Sequence, residues 1–252
     1  MDLKDYESRN LTRSPLILVA AQINFEEVAR EISHPQARLF QNHIGSEWIQ
    51  LQATPLVTTT FLPSGAPIQE PQRQAWRFST KDDQWSVFVR PDNITLETQA
   101  YISWPQFAER FAAICSAAAT VFDPSSRLRL GLRFVDKIQM PEGKESWDGL
   151  ITDALLGMAS DSRFKDGVLA SDQRVLVQYP DGTRCLLRHG IMPEVGVSLP
   201  IFLLDFDVFT EGKDRFDASE IATVSENLHL QMGRTFRTCL SDEMYQWLKG
   251  ES

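Results

Sequence analysis

The sequence predicts an α+β protein with antiparallel sheets, each packed by a long helix, in two similar halves. Several short segments are rich in aromatic and β-branched residues and are separated by turn residues, which is typical of antiparallel strands. Two longer segments instead place apolar residues at the three- and four-residue spacing of an amphipathic helix. Of the 252 residues, 42% are hydrophobic and 23% are charged, and these proportions favour a folded chain.

The first half is predicted to cover residues 15–159, after a polar tail at residues 1–14. It begins with LILVAAQINF at residues 16–25, a nearly continuous apolar run that is typical of a central strand. Ser33 begins a helix that Gly45 ends. The strands predicted next are residues 56–62, 75–80, 85–90 and 94–101.

The first long helix is predicted at residues 104–122. Ser103 and Gln106 have the spacing of a capping box at its start, and Asp123 before Pro124 marks its end. Its apolar stripe consists of Phe107, Phe111, Ile114, Ala118 and Val121.

A strand follows at residues 128–138, with the sequence LRLGLRFVDKI. Its alternation places the leucines and Phe134 on one face and Arg129, Arg133 and Lys137 on the other. These three cations belong to the one basic cluster of the chain, which indicates either an ion-paired sheet face or a site for an anion or a partner. Gly131 inside the strand favours close packing over a ligand contact.

The second half is predicted at residues 173–252, after a short helix at 147–158 and a polar connector at 160–172. It repeats the plan of several strands followed by a long helix. The strands are predicted at residues 174–179, 183–192 and 201–209. Asp217 and Glu220 open the long helix, and Ser241 opens a last short helix that ends at Gly250.

The formal net charge is −9, which makes nucleic acid an unlikely partner and favours a basic protein partner. The chain begins with polar residues, and its apolar runs are too short to span a bilayer. The sequence therefore predicts a cytoplasmic protein without a membrane segment. Cys115, Cys185 and Cys239 lie far apart and are expected to be buried free thiols.

The candidate site residues lie on the predicted strands and on the second long helix. The strand FLLDFDVF places Asp205 and Asp207 on one face, where they could hold Mg²⁺ or Mn²⁺ or share acid and base roles. Alternatively, they pair across the sheet with Arg184 and Arg188 of the neighbouring strand. His229 is interpreted as a polar residue at an interface.

Motifs of established chemistry are missing from the sequence. No GxSxG serine, no glycine-rich phosphate loop and no zinc-ligand spacing occurs. We therefore predict no catalytic residue, no metal and no cofactor.

Four segments carry a resemblance to a known family. They are LILVAAQINF, WSVFVRPDNITLETQAYISWPQFAERF, LRLGLRFVDKI and LHLQMGRTFRTCLSDEMYQWL. In their order and spacing the chain resembles a sporadically distributed family of uncharacterised bacterial proteins of similar length, over residues 15–248. The resemblance implies no activity. Its patchy distribution is similar to that of genes in defence or mobile-element loci.

Three functions remain open from the sequence. The first is a non-catalytic protein-binding component, antitoxin-like or part of a defence or mobile-element locus. The second is a sensor of a small anion or nucleotide that lies between sheet and helix, facing Arg129, Arg133 and Lys137. The third is a metal-dependent hydrolase that uses Asp205 and Asp207 with Glu194 or His189.

Overall fold

The structure of this protein is a computed structural model. It describes residues 1–7, 10–56, 59–61, 67–69, 73–194, 196 and 199–251. These residues form a nine-stranded antiparallel sheet, a separate two-stranded sheet and five α-helices. The predicted α+β class is confirmed.

The strands follow the turn-rich segments of the sequence. They are β1 (Leu16–Phe25), β2 (Gln50–Leu56), β3 (Thr59–Phe61), β4 (Pro67–Gln69), β5 (Arg73–Ser79), β6 (Trp85–Val89), β7 (Asn93–Thr98), β8 (Ser126–Ile138), β9 (Gln173–Gln178), β10 (Arg184–Met192) and β11 (Ile201–Arg215). The order in the large sheet is β2-β5-β6-β7-β1-β8-β11-β10-β9.

The helices begin at polar residues whose side chains or backbones cap them. They are α1 (His34–Ile44), α2 (Trp104–Phe122), α3 (Asp153–Leu156), α4 (Ala218–Cys239) and α5 (Asp242–Lys249). Ser33 and Gln36 form a capping box at α1, and Asp217 accepts hydrogen bonds from two backbone amides of α4. At α2 the predicted capping box is wrong, because the side chain of Ser103 makes no capping hydrogen bond.

One continuous sheet replaces the separate sheets that the sequence predicted. β8 of the first predicted half pairs with β11 of the second, so strands of both predicted halves share one hydrogen-bonded ladder. The reason is that β8 and β11 are apolar on the same face, where Leu132 and Val208 lie opposite each other and are fully buried. The division into two similar halves and the connector at residues 160–172 stay predictions.

The strand register separates the two faces of the large sheet. One face holds residues such as Val19 and Phe134, which are opposite each other. Three helices lie on it, and each contacts a different strand through aromatic rings at 5.3–6.3 Å. The pairs are Phe40 of α1 with Phe78, Phe107 of α2 with Trp85, and Phe236 of α4 with Phe206. The other face holds Arg133 and Asp207.

Two local predictions fail for identifiable reasons. The helix predicted at residues 147–158 shrinks to α3, because Gly149 adopts a φ of 73° and Ile151 forms a β-bridge with Leu240. The strand predicted at residues 56–62 falls partly outside the described residues.

Among all the residues that the structure describes, no helix combines the length and apolar character that a bilayer crossing requires.

Candidate functional site

The predicted basic cluster is neutralised by carboxylates across the sheet. Arg133 donates through Nε and Nη2 to both carboxylate oxygens of Asp205, each at 2.8 Å. Arg129 donates through Nη2 to both oxygens of Asp207, at 2.7 and 2.8 Å. The hydrogen bonds from Arg133 occupy the carboxylate that a cation would need, and they raise the pKa of Arg133.

The other candidate cations are paired as well. Lys137 pairs with Glu194, Arg184 with Glu211 at 2.7 Å, and Arg188 with Asp172 at 2.9 Å. Arg184 and Arg188 therefore pair with carboxylates other than Asp205 and Asp207, so that part of the sequence prediction is wrong. The reason is competition between the two strands that flank β11. Arg129 and Arg133 of β8 already pair with both aspartates, so the arginines of β10 pair elsewhere.

Gly131 makes room for one of these pairs. A Cβ atom at this position would lie 2.5 Å from Nη1 of Arg129. Without it, the guanidinium of Arg129 folds back along β8, lies 4.5 Å from the ring centroid of Phe209 and reaches Asp207. The interpretation of Gly131 as a packing residue agrees with this geometry.

The sheet separates the residues of the predicted hydrolase. Asp205 of β11 is opposite Arg188 of β10 in the register, and His189 follows Arg188 on β10. Its side chain therefore points to the helix-covered face, where it stacks near Phe202. Within the described part of the chain, no group of three or more histidine, cysteine or acidic residues could hold a metal ion. The predicted hydrolase site is not assembled.

A large cavity lies on the helix-covered face of the sheet. Its volume is about 960 Å³, and its walls come from β1, β8, α2, α4, α5 and the N-terminal segment. The lining includes the aromatic residues Tyr6, Tyr101, Trp104, Phe134, Phe236 and Tyr245. A pocket of this size and composition is typical of a small-molecule site.

His229 lies at the centre of the aromatic wall. Its ring stacks on Trp104 at a centroid distance of 4.2 Å and an interplanar angle of 1°. Tyr6 meets it edge-on at 6.1 Å, and Phe134 lies at the same distance. Burial lowers the pKa of His229 to about 4, so the imidazole is neutral at neutral pH. The structure thus places the predicted interface histidine in a cavity wall.

Asp136 brings a carboxyl group into this apolar wall. It lies on β8 on the same face as Phe134 and is 4% exposed. Its side chain forms no hydrogen bond or ion pair with any residue that the structure describes. Burial, and secondarily the charge of Asp205, raises the pKa of Asp136 to about 8. The group is therefore mostly a neutral acid at neutral pH.

Glu226 is the second acidic residue of the lining, and it differs from Asp136 in having a donor. The indole Nε1 of Trp104 donates a hydrogen bond to its Oε2. This bond joins the start of α2 to the middle of α4. Burial, with the nearby Tyr6 and Glu226, raises the pKa of Tyr101 above its usual range, so that phenol stays protonated.

The N-terminal segment covers one side of the cavity. Lys4 donates from Nζ to the carbonyl oxygen of Leu240 at 2.9 Å, and Arg13 donates from its backbone amide to that of Leu248 at 2.9 Å. Between these anchors, Tyr6 lies directly on Gly233 of α4, where a Cβ atom would overlap its ring. The segment that the sequence presents as a polar tail is therefore part of the site.

The predicted anion site does not coincide with the cavity. Arg129, Arg133 and Lys137 lie on the opposite face of the sheet from the cavity, because their positions alternate with those of Phe134 and Asp136. The cavity lining contains no arginine or lysine among the described residues. An anion between sheet and helix would therefore meet acidic and aromatic groups.

The cysteines behave as the sequence predicts. Cys115, Cys185 and Cys239 are free and buried. Burial raises the pKa of all three thiols, that of Cys185 to about 12. None is poised as a nucleophile.

Comparison with known proteins adds no assignment. No protein-family model and no curated protein sequence matches this chain. The resemblance to the sporadically distributed bacterial family stays a prediction.

Proposed function

We propose that this protein binds a small, largely apolar molecule in the cavity between the sheet, α2 and α4. The observation that carries the proposal is an aromatic-walled cavity of about 960 Å³ with a buried carboxyl group that has no partner among the described residues. Soluble proteins seldom keep such a group without a use, because an unpaired buried polar group costs stability. Binding without catalysis is the simplest function that this arrangement supports.

The proposal keeps the small-ligand binding of the sensor hypothesis but changes the class of ligand. The sequence pointed to an anion or nucleotide facing Arg129, Arg133 and Lys137. Those cations are paired and lie on the other face. The cavity instead supports a ligand with an aromatic or aliphatic body.

A cavity-filling substitution tests the proposal. Ala108 of α2 lines the cavity and is partly buried. We expect indole to raise the melting temperature of the wild-type protein, because a ligand of the folded state stabilises it. We expect Ala108→Trp to remove that increase by filling the space. Differential scanning calorimetry with and without indole provides the measurement.

The matched control is Ala113→Trp, an exposed position of the same helix outside the cavity lining. This variant should keep the response to indole. If indole leaves the wild-type melting temperature unchanged, or if both variants respond equally, the cavity is not the binding site.

Protein binding is the second candidate, and one feature of the sheet favours it. β9 is an edge strand, and its Val175 and Leu176 are 44% and 60% exposed. An exposed apolar edge is a template on which an extended segment of a partner can add a strand. Antitoxin or defence roles, a basic partner and a cytoplasmic location stay predictions.

Lysines on the edge test this second candidate. A partner recovered with the tagged wild-type protein should be lost with the Val175→Lys, Leu176→Lys variant, because charged edges resist strand addition. The control is Leu169→Lys, at an 83% exposed residue outside the strands. Equal recovery of that partner by all three proteins would contradict edge pairing.

A further inference from the structure

Building on the proposed function, we propose that the ligand is an organic cation, an ammonium group on an aromatic or aliphatic body, with the carboxylate of Asp136 as its counter-ion. Three features of the cavity carry this inference. They are the charge of its lining, the aromatic character of its walls, and the proton that Asp136 can release.

The charge of the lining selects against an anion. Among the described residues of the lining, Asp136 and Glu226 are the two acidic ones, and none is an arginine or lysine. Glu226 already accepts a hydrogen bond from Trp104. His229 cannot supply a positive charge near neutral pH, because burial keeps it neutral. Asp136 is therefore the acidic group of the lining that is left to meet a ligand.

The walls of the cavity suit the remainder of such a molecule. Tyr101 lies 5.8 Å from Phe134, ring centroid to centroid, in an edge-on arrangement, and Trp104 stacks on His229. Aromatic faces attract an ammonium group, and they also accept an apolar body by burial. A cation with a planar body would use both properties in one site.

Binding of a cation should release a proton. Without a cation beside it Asp136 holds its proton, because burial disfavours the charged form. An ammonium ion stabilises the carboxylate, so the acid RCOOH and the ligand R′NH₃⁺ become the pair RCOO⁻ and R′NH₃⁺ with one H⁺ passed to the buffer. Among the residues that the structure describes, the titratable groups that line the cavity with Asp136 are Tyr6, Tyr101, Glu226, His229 and Tyr245.

Three indole compounds of similar shape test the inference. Tryptamine is a cation, tryptophol is its neutral hydroxyl analogue, and indole-3-acetate is an anion. Isothermal titration calorimetry should show tryptamine binding on the order of tenfold or more tighter than tryptophol, with the acetate weakest. Titration in buffers of different ionisation enthalpy should show about one proton released per tryptamine at neutral pH.

Asp136→Asn is the decisive variant, since asparagine keeps the shape without the acid. It should bind tryptamine no more tightly than tryptophol and release no proton. Glu109→Gln is the matched control, because Glu109 is an exposed acid of α2 outside the cavity lining, and this variant should keep both the preference for tryptamine and the proton release.

The outcomes separate this inference from the proposed function. If the wild-type protein binds all three compounds equally, or if Asp136→Asn keeps the preference for tryptamine, the proposal of a cationic ligand paired with Asp136 is wrong. The cavity then remains a site for apolar molecules. If none of the three compounds binds, both proposals fail.

Discussion

Asp136 occupies a position in β8 where the other residues of its face are apolar. Leu132 and Phe134 precede it at alternate positions, and Ile138 follows it. All three are buried, and they pack under the helices. The acid interrupts this row at the wall of the cavity. A carboxyl group kept there costs stability, and that cost should be visible in the pH dependence of unfolding.

We expect Asp136→Asn to stabilise the protein increasingly as the pH rises. The pKa of Asp136 is 3.8 in a free carboxyl and about 8 in the folded protein. Between these values the folded state binds the extra proton, so the contribution of Asp136 to the free energy of unfolding falls as the pH rises. The gain of the variant over the wild type should be small near pH 4 and should grow by several kcal/mol by pH 8, because each unit of pKa difference corresponds to about 1.4 kcal/mol. Urea unfolding at both pH values measures it.

Ala113→Ser is the control for this titration, because Ala113 is an exposed residue of α2 and neither side chain titrates. Its difference from the wild type should not grow over the same range. A stabilisation by Asp136→Asn that is equal at both pH values would mean that Asp136 is already ionised in the folded protein.

Single residues also mark what the sequence could and could not predict. The alternation in β8 predicted that Arg129, Arg133 and Lys137 share a face, and they do. The same alternation placed Asp136 among the apolar residues, and this signal could have identified the cavity acid. The stacking of His229 on Trp104 was out of reach, because it depends on how α2 and α4 pack together.

At the scale of elements, local signals located most helices and strands. Ser33 and Ser241 cap α1 and α5 as predicted, because a short polar side chain before an apolar stripe is a local feature. The partners of each strand follow from longer-range contacts, so the pairing of β1 with β8 could not be predicted. The docking of the N-terminal segment is of the same kind, since it depends on a small residue in a distant helix.

We expect Gly233→Ala to detach the N-terminal segment from α4. A Cβ atom at this position would overlap the ring of Tyr6, which covers the cavity there. Alanine is also a better helix former than glycine by about 1 kcal/mol, so α4 itself should not weaken. Amide hydrogen exchange should show faster exchange in residues 1–7 and unchanged exchange in the middle of α4.

Gly167→Ala is a suitable comparison, because a Cβ atom there would meet no atom within 4 Å. It should leave exchange in residues 1–7 as in the wild type. Unaltered exchange of these residues in Gly233→Ala would show that Tyr6 does not hold the segment in place.

At the scale of the whole molecule, one sheet and one core connect all the large elements. The buried apolar residues form a single cluster that runs from β1 through α5. β8 is hydrogen-bonded to β1 on one edge and to β11 on the other. If the strands beyond either edge unfolded, β8 would lose its hydrogen-bonded neighbour there. This continuity predicts one cooperative unfolding transition, although the sequence also suggested two similar halves.

Two core substitutions test that cooperativity, one near β5 and one in β11, towards opposite ends of the strand order. Phe40 of α1 and Phe206 of β11 are both fully buried. Truncation of either to alanine should cost about 3–5 kcal/mol, and each should lower the stability of β6 and β10 equally. Native-state hydrogen exchange at Val87 and Leu187 reads the two sides separately. If Phe206→Ala accelerates exchange at Leu187 alone, the halves unfold independently, because the ladder between β8 and β11 then separates without a loss of stability in β6.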